Sequence, residues 1–309
     1  MDPNSHPLKE SSLSSIDSLL SSTPTPIKIL MLHGHGESSQ KFYHKTRSLT
    51  SHLKSSFFAS YPERPFEFVY LNATHDDEPC TPEMRTWGFG DYQVEKIRGL
   101  ERSVRYVLDY LGREGPFDGV IGFSTGGAVA ILLGALLEGE EEYRQKQEQS
   151  LLNITPNITS EKAPEKDVWR GTVFNIPPTP SPSNNHPRLK FIIAYSAFML
   201  GHPMYQALYT PTLSTPTLSY YCELDPIVPP HLTKELAGRC VNGVLESVYG
   251  THFVPRTRDS YKIVEGFIRR VMGMGMQGCG FYCACGGRNE GGSGSSSASG
   301  SGGECCVFH

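Results

Sequence analysis

The segment GVIGFSTGGAVAILLGALL, residues 119–137, constrains this chain more than any other. Its opening apolar run suits a buried strand, and the Ala/Leu-rich run from Thr125 suits a buried helix. Only Ser124 separates the two, flanked by Gly122, Gly126 and Gly127. Elements that meet so closely need a sharp turn and small residues where their backbones nearly touch. Gly122-Phe123-Ser124-Thr125-Gly126 fits G-x-S-x-G, a cheap pattern that gains meaning when a strand precedes it and a helix follows. Here both do. The helix then points its N-terminal amides at the serine, where negative charge would develop during nucleophilic attack. A glycine-rich phosphate turn is the rival reading, but neither G-x-x-x-x-G-K-[ST] nor G-x-G-x-x-G spacing is present at this turn.

The rest of the chain repeats the strand-then-helix theme. Runs rich in β-formers occupy 27–32, 66–71, 117–122, 190–195, 217–222 and 244–249. Helical patterns fall at about 39–57, 92–112, 125–137, 230–239 and 258–272. Ile97, Leu100, Val104, Val107, Leu108 and Leu111 recur at three- and four-residue steps, one face of a helix. Such alternation predicts an α/β domain over 26–273, with about six mostly parallel strands and helices on both faces. Runs such as FIIAY suit strands buried on both sides.

Three segments fit no packed core. Residues 1–25 are rich in Ser and Pro and read as a disordered arm, and 139–187 reads as an exposed insertion with a helical start. The Gly/Ser/Cys-rich stretch 274–309 reads as a flexible tail. A net charge of −4 over 309 residues, without a basic face, gives no reason to expect nucleic-acid binding. No run reaches the roughly 18 apolar residues of a membrane span, and the N-terminus has neither a basic start nor an apolar signal core. Eight cysteines, five of them crowded beyond residue 278, do not form a secreted disulfide framework. The expected location is the cytoplasm.

A serine hydroxyl needs a histidine to take its proton and a carboxylate to hold that histidine. Behind a G-x-S-x-G turn the chain order is Ser, then Asp or Glu, then His. TLSYYCELDPIVPP places Asp225 just past a strand's C-terminal end, and LESVYGTHFVP places His252 just past another. Both fall at the edge where a parallel sheet carries its active site. Glu223 lacks the DPIVP loop, Asp259 follows His252, His202 precedes the acid, and His231 opens a helix after two prolines. Ser124, Asp225 and His252 are therefore the candidate catalytic set. The amide of Thr125, next after the serine, is one candidate oxyanion donor, and the LHGHG loop supplies the other from His35 or Gly36. The His33/His35 pair also suits zinc, but further ligands at suitable spacing are lacking, so no metal is expected.

With these pieces in place, the chain resembles the small FSH-type serine hydrolases ("family of serine hydrolases"), an esterase and thioesterase group of the α/β-hydrolase fold. The likeness rests on ILMLHGHGESSQKF, GVIGFSTGGAVA, YYCELDPIVP and GTHFVP, and spans about 27–271 around the insertion. It implies a Ser124/Asp225/His252 triad, an oxyanion hole at Thr125 and His35, no cofactor, and a small-molecule acyl ester or thioester as substrate. A glutamine often follows the nucleophile in this family, and Thr125 stands in its place.

Met84, Trp87 and Phe89, with Phe198, Met199, Leu200, Met204 and Leu208, lie on segments leaving strand C-terminal ends. Trp87, Phe89, Phe198 and Met199 are the candidate pocket wall, with plain packing as the rival reading of such a cluster. The insertion follows the helix that begins at Ser124, so it is expected at the opposite sheet edge and not as a lid. Cys306 opens a C-a-a-X match with an atypical final His, and Cys305 beside it offers a second acylation site; one lipid would give weak membrane association. The alternative to an enzyme is a hydrolase-fold binding protein that keeps the triad as a ligand pocket.

Overall fold

The computed structural model describes residues 25–76, 83–152, 173–174, 186–210 and 212–274. The strands are β1 (Ile27–Leu32), β2 (Phe66–Leu71), the short pair β3 (His75–Asp76) and β4 (Arg85–Thr86), β5 (Gly119–Phe123), β6 (Phe191–Tyr195), β7 (Thr217–Cys222) and β8 (Gly243–Val248). The helices are α1 (Ser39–Ser60), α2 (Leu100–Glu114), α3 (Thr125–Leu152), α4 (Pro230–Ala237) and α5 (Arg258–Val271). Six strands form one sheet in the order β2-β1-β5-β6-β7-β8, and every pairing in it is parallel. This is the α/β-hydrolase architecture expected from the sequence.

Side chains leave the central strands alternately toward two cores. Leu30 and Leu32 of β1 pack with residues of α2 and α3 such as Val104 and Val129. Ile29 and Met31 pack on the other side with Phe42 and Leu53 of α1 and Phe267 of α5. Covering both faces is what makes these strands continuously apolar. The edge strand β8 is different: exposed and half-buried residues alternate along it.

Register aligns the strand ends. Leu32 faces Gly122, Phe123 faces Tyr195, and Tyr195 faces Tyr220. The residues that follow these strands therefore share one carboxyl edge. The chain reverses direction across the sheet between β1 and β5, the topological switch at which open α/β sheets place their sites.

Two helix boundaries differ from the sequence reading. The helix expected from residue 92 begins at Leu100, because Phe89 and Arg98 exchange backbone hydrogen bonds of 2.9 Å and Gly99 takes a left-handed φ of 82°. Ile97, which fits the helical period, is buried from this loop, and its amide donates to Tyr205 Oη at 2.9 Å. The helix expected to end at Leu137 runs on to Leu152. Its buried Glu138 accepts from the Ser214 and Thr215 amides and the Thr215 hydroxyl.

The span 139–187 is also not uniformly exposed. Phe174 is buried against Tyr205, with its carbonyl accepting from Arg105. His186 is buried too, and its Nε2 accepts from the Phe117 amide at 2.7 Å. Single anchors of this kind leave no period in a polar sequence. Most of the N-terminal arm, residues 153–172 and 175–185 of the insertion, and the tail with Cys305 and Cys306 lie outside the described residues. Among the described residues no helix is long and apolar enough to cross a membrane.

Candidate active site

Ser124 stands between β5 and α3 with φ +55°, a left-handed conformation that costs a non-glycine residue about 1–2 kcal/mol. Its amide donates to Tyr195 O at 2.8 Å on the neighbouring strand. The glycines around it are spatial necessities. A Cβ at Gly122 would lie 2.4 Å from Gly126 O, one at Gly127 would lie 2.9 Å from Ala197 Cβ, and one at Gly126 would lie 2.3 Å from His33 O. The last clash is with backbone, which cannot rotate away. Gly126→Ala is expected to cost about 3 kcal/mol of stability, read as a lower urea midpoint at unchanged slope; an unchanged midpoint would contradict this packing.

Asp225 and His252 meet directly. The Asp225 side chain is fully buried, and its Oδ2 accepts from His252 Nδ1 at 2.7 Å. Its Oδ1 accepts from the amides of Ile227 at 2.9 Å and Val228 at 2.8 Å, within the DPIVP turn. Burial pushes this carboxyl up, but the hydrogen bonds from His252, Val228 and Ile227, with the His252 charge, outweigh it and hold its pKa below the ordinary value. An ionised Asp225 only accepts, so Nδ1 of His252 carries the proton of this bond.

The imidazole centroid lies 4.7 Å from that of Phe123, the residue preceding Ser124. Among the described residues, no hydrogen bond joins Ser124 Oγ to the ring; such contacts often tighten only with substrate bound. The rivals are occupied elsewhere. Glu223 is exposed and accepts from Ser247 Oγ, Asp259 sits in the first turn of α5, His202 caps the turn of 3₁₀ helix at Pro203–Tyr209, and His231 is exposed at the start of α4.

The loop after β1 crosses directly over the serine. A Cβ at Gly34 would meet the Phe123 ring at 3.0 Å and Ser124 Cβ at 3.4 Å. His33 holds this loop from beneath. It is fully buried, and because Nε2 accepts from the Ala73 amide at 3.0 Å, Nδ1 must carry the proton that bonds Gly34 O at 2.7 Å. Burial lowers its pKa and keeps it neutral. Both ring nitrogens are thus committed within the fold.

The Gly34 amide donates to Glu37 Oε2 at 3.2 Å and the Gly36 amide to Arg85 O at 3.0 Å. Of the two loop donors considered from sequence, Gly36 is therefore engaged away from the serine. His35 bonds Thr86 Oγ1 through Nδ1 at 2.9 Å. Thr125 opens α3, and its hydroxyl is buried without a hydrogen-bond partner among the described residues.

The expected pocket wall needs correction. Trp87 is fully buried, donating from Nε1 to His33 O at 2.8 Å with its ring 5.2 Å from the imidazole. It buttresses the loop and presents no surface. Phe198 is buried edge-on to Tyr92. Phe89 and Met199 are half-buried, Phe89 tilted against His75. Met84 comes closer to the site, with its Cε 3.6 Å from a Cβ position at Gly36.

Two further features escaped the sequence reading. Ser196 donates from Oγ to Asp225 Oδ2 at 3.0 Å. Lys45 pairs with Glu37 and lies 4.6 Å over the Phe123 ring. The only sequence signal for Ser196 is its place directly after a buried strand, as with Ser124. A cavity of about 530 Å³ on α2, lined by Gly99, Glu101, Arg102, Arg105, Tyr106 and Asp109, shares no residue with this site.

A parallel sheet with a serine at the β5–α3 turn, and a paired carboxylate and imidazole along the same edge, defines an α/β-hydrolase. Residues 22–263 match the family model described as serine hydrolase (FSH1), and the chain belongs to that family of hydrolases. It is 27% identical over 256 residues to family of serine hydrolases 2 from Saccharomyces cerevisiae, covering 79% of this chain and 95% of that one. To esterase OVCA2 of Danio rerio it is 25% identical over 272 residues, covering 79% of this chain and 97% of that one. To a dihydrofolate reductase of Schizosaccharomyces pombe it is 25% identical over 242 residues, which are 75% of this chain but only 44% of that longer protein.

Proposed function

We infer that the protein hydrolyses carboxylic esters or acyl thioesters through an acyl-enzyme on Ser124. The observation that carries this reading is the 2.7 Å bond between His252 Nδ1 and buried Asp225, on the strand edge where Ser124 is held in a left-handed turn. Nε2 of His252 takes the hydroxyl proton as Ser124 Oγ attacks the carbonyl carbon. The resulting oxyanion is held by the amides of Thr125 and His35, helped by the N-terminal dipole of α3. As the tetrahedral intermediate collapses, the C–O or C–S bond breaks and the leaving alcohol or thiol takes the proton from His252. Water then attacks the acyl-enzyme, His252 takes its proton, and Ser124 is restored as the acid departs. Asp225 stays ionised throughout and keeps the imidazole in its Nδ1–H tautomer.

p-Nitrophenyl esters of graded chain length, with an acyl thioester in parallel, test this reading. The expected result is many turnovers per enzyme on at least one ester. Release of no more than one equivalent across the whole series would instead mark a binding protein that has kept the triad.

A further inference from the structure

Asp225 is held by two different kinds of contact. Oδ1 is tied to the amides of Ile227 and Val228, which belong to its own turn. They hold that oxygen from within the turn itself. Oδ2, the oxygen that meets His252, is restrained from outside the turn by Ser196 Oγ at 3.0 Å. Ser196 directly follows β6, and β6 pairs with the β5 strand that carries Ser124. The contact therefore bolts the acid to the strand next to the serine.

Ser196 is 1% exposed and takes a left-handed φ of +46°, beside Ser124 at +55°. Glycine would adopt this conformation without strain. A serine held there needs a reason, and the hydroxyl supplies it. Among the described residues, one other side-chain atom competes for that proton. Cys222 Sγ lies 3.9 Å away and itself donates to Phe253 O, next to His252, at 3.5 Å. The nearer, charged carboxylate takes the hydroxyl hydrogen.

We propose that Ser196 is a positioning residue, whose hydroxyl turns the Asp225 carboxylate so that Oδ2 faces the His252 Nδ1–H. This rests on the triad reading above. His252 and Cys222 are the titratable groups facing Asp225, so losing the hydroxyl leaves Oδ2 with its full charge directed at the imidazole alone. The acid limb of the pH–rate profile, which belongs to the Asp225–His252 pair, then moves to higher pH.

Ser196→Gly and Ser196→Ala separate hydroxyl from backbone. Glycine removes the hydroxyl and the strain, whereas alanine removes only the hydroxyl. Both are expected to lower kcat about tenfold with KM within twofold, and to move the acid limb up by about half a pH unit. The glycine variant should melt at or above the alanine variant, so activity will not follow stability. Full activity of Ser196→Gly with an unmoved acid limb would overturn the proposal. The wild type and Ser124→Ala, run alongside, report separately on the hydrolase reading. A readout independent of turnover is the downfield proton NMR signal of His252 Nδ1–H. It should shift and exchange faster in both variants, and an unchanged signal would count against Ser196.

Discussion

Ser124→Ala is expected to lower kcat on a p-nitrophenyl ester about 10⁴-fold or more, with KM changed only a few-fold. The substitution removes one oxygen from a residue that is 5% exposed and makes no side-chain hydrogen bond among the described residues. Alanine meets the same strain at φ +55°, and the Ser124 amide bond to Tyr195 O needs no side chain. The fold and the Thr125 and His35 amides survive, so the melting temperature should stay within a few degrees. Only the proposed nucleophile is lost. Initial rates and a thermal melt on the same preparation check both halves of the expectation. A variant that keeps even a tenth of wild-type turnover would place the nucleophile elsewhere.

Asp225→Asn comes next in size, with an expected fall in kcat of about 10³- to 10⁴-fold. The shape of the side chain is kept, but one acceptor oxygen becomes a donor NH₂. The Ile227 and Val228 amides both point at the Oδ1 position, so the carboxamide oxygen must take it. The NH₂ group then occupies the Oδ2 position, where it faces His252 Nδ1–H and the Ser196 hydroxyl. Relief comes if the imidazole moves its proton to Nε2 and accepts at Nδ1. That tautomer has no lone pair left for the Ser124 proton.

The same substitution has a stability signature. The Asp225 pKa is depressed in the fold, so its contribution is fully present above the ordinary 3.8 and is lost as pH falls through the lower folded value. The gap in melting temperature between wild type and Asp225→Asn should therefore narrow in strong acid. A gap that stays constant down to pH 2 would contradict an ionised, stabilising carboxylate.

Much of this was readable because parallel strands buried on both faces write themselves as apolar runs. β1, β2 and β7 have the bounds expected for them, β5, β6 and β8 shift by a residue or two, and the two-residue strands β3 and β4 leave no sequence signal. The pairing of Asp225 with His252 was readable for a different reason: each follows a strand, and their order behind Ser124 is restrictive. What stayed hidden depends on single contacts across the fold. Ile97 fits a helical face yet is buried from a loop, because Arg98 bridges to Phe89 and Gly99 turns the chain into α2. Trp87 looked like a pocket wall because apolar bulk does not reveal which side of a loop it supports. Phe174 and His186 anchor a span whose polar sequence carries no period. Ser196 is an ordinary serine until the β6–β7 register sets it beside the acid.

In the proposed mechanism Ser124 is the residue that takes up the acyl group. A fluorophosphonate probe, which transfers its phosphonyl group to an activated serine and releases fluoride, reports this without knowledge of the natural ester. Incubation followed by intact mass and peptide mapping should show one equivalent of adduct on Ser124 in the wild type and none in Ser124→Ala. Equal labelling of both proteins, or an adduct mapped to another residue, would contradict it.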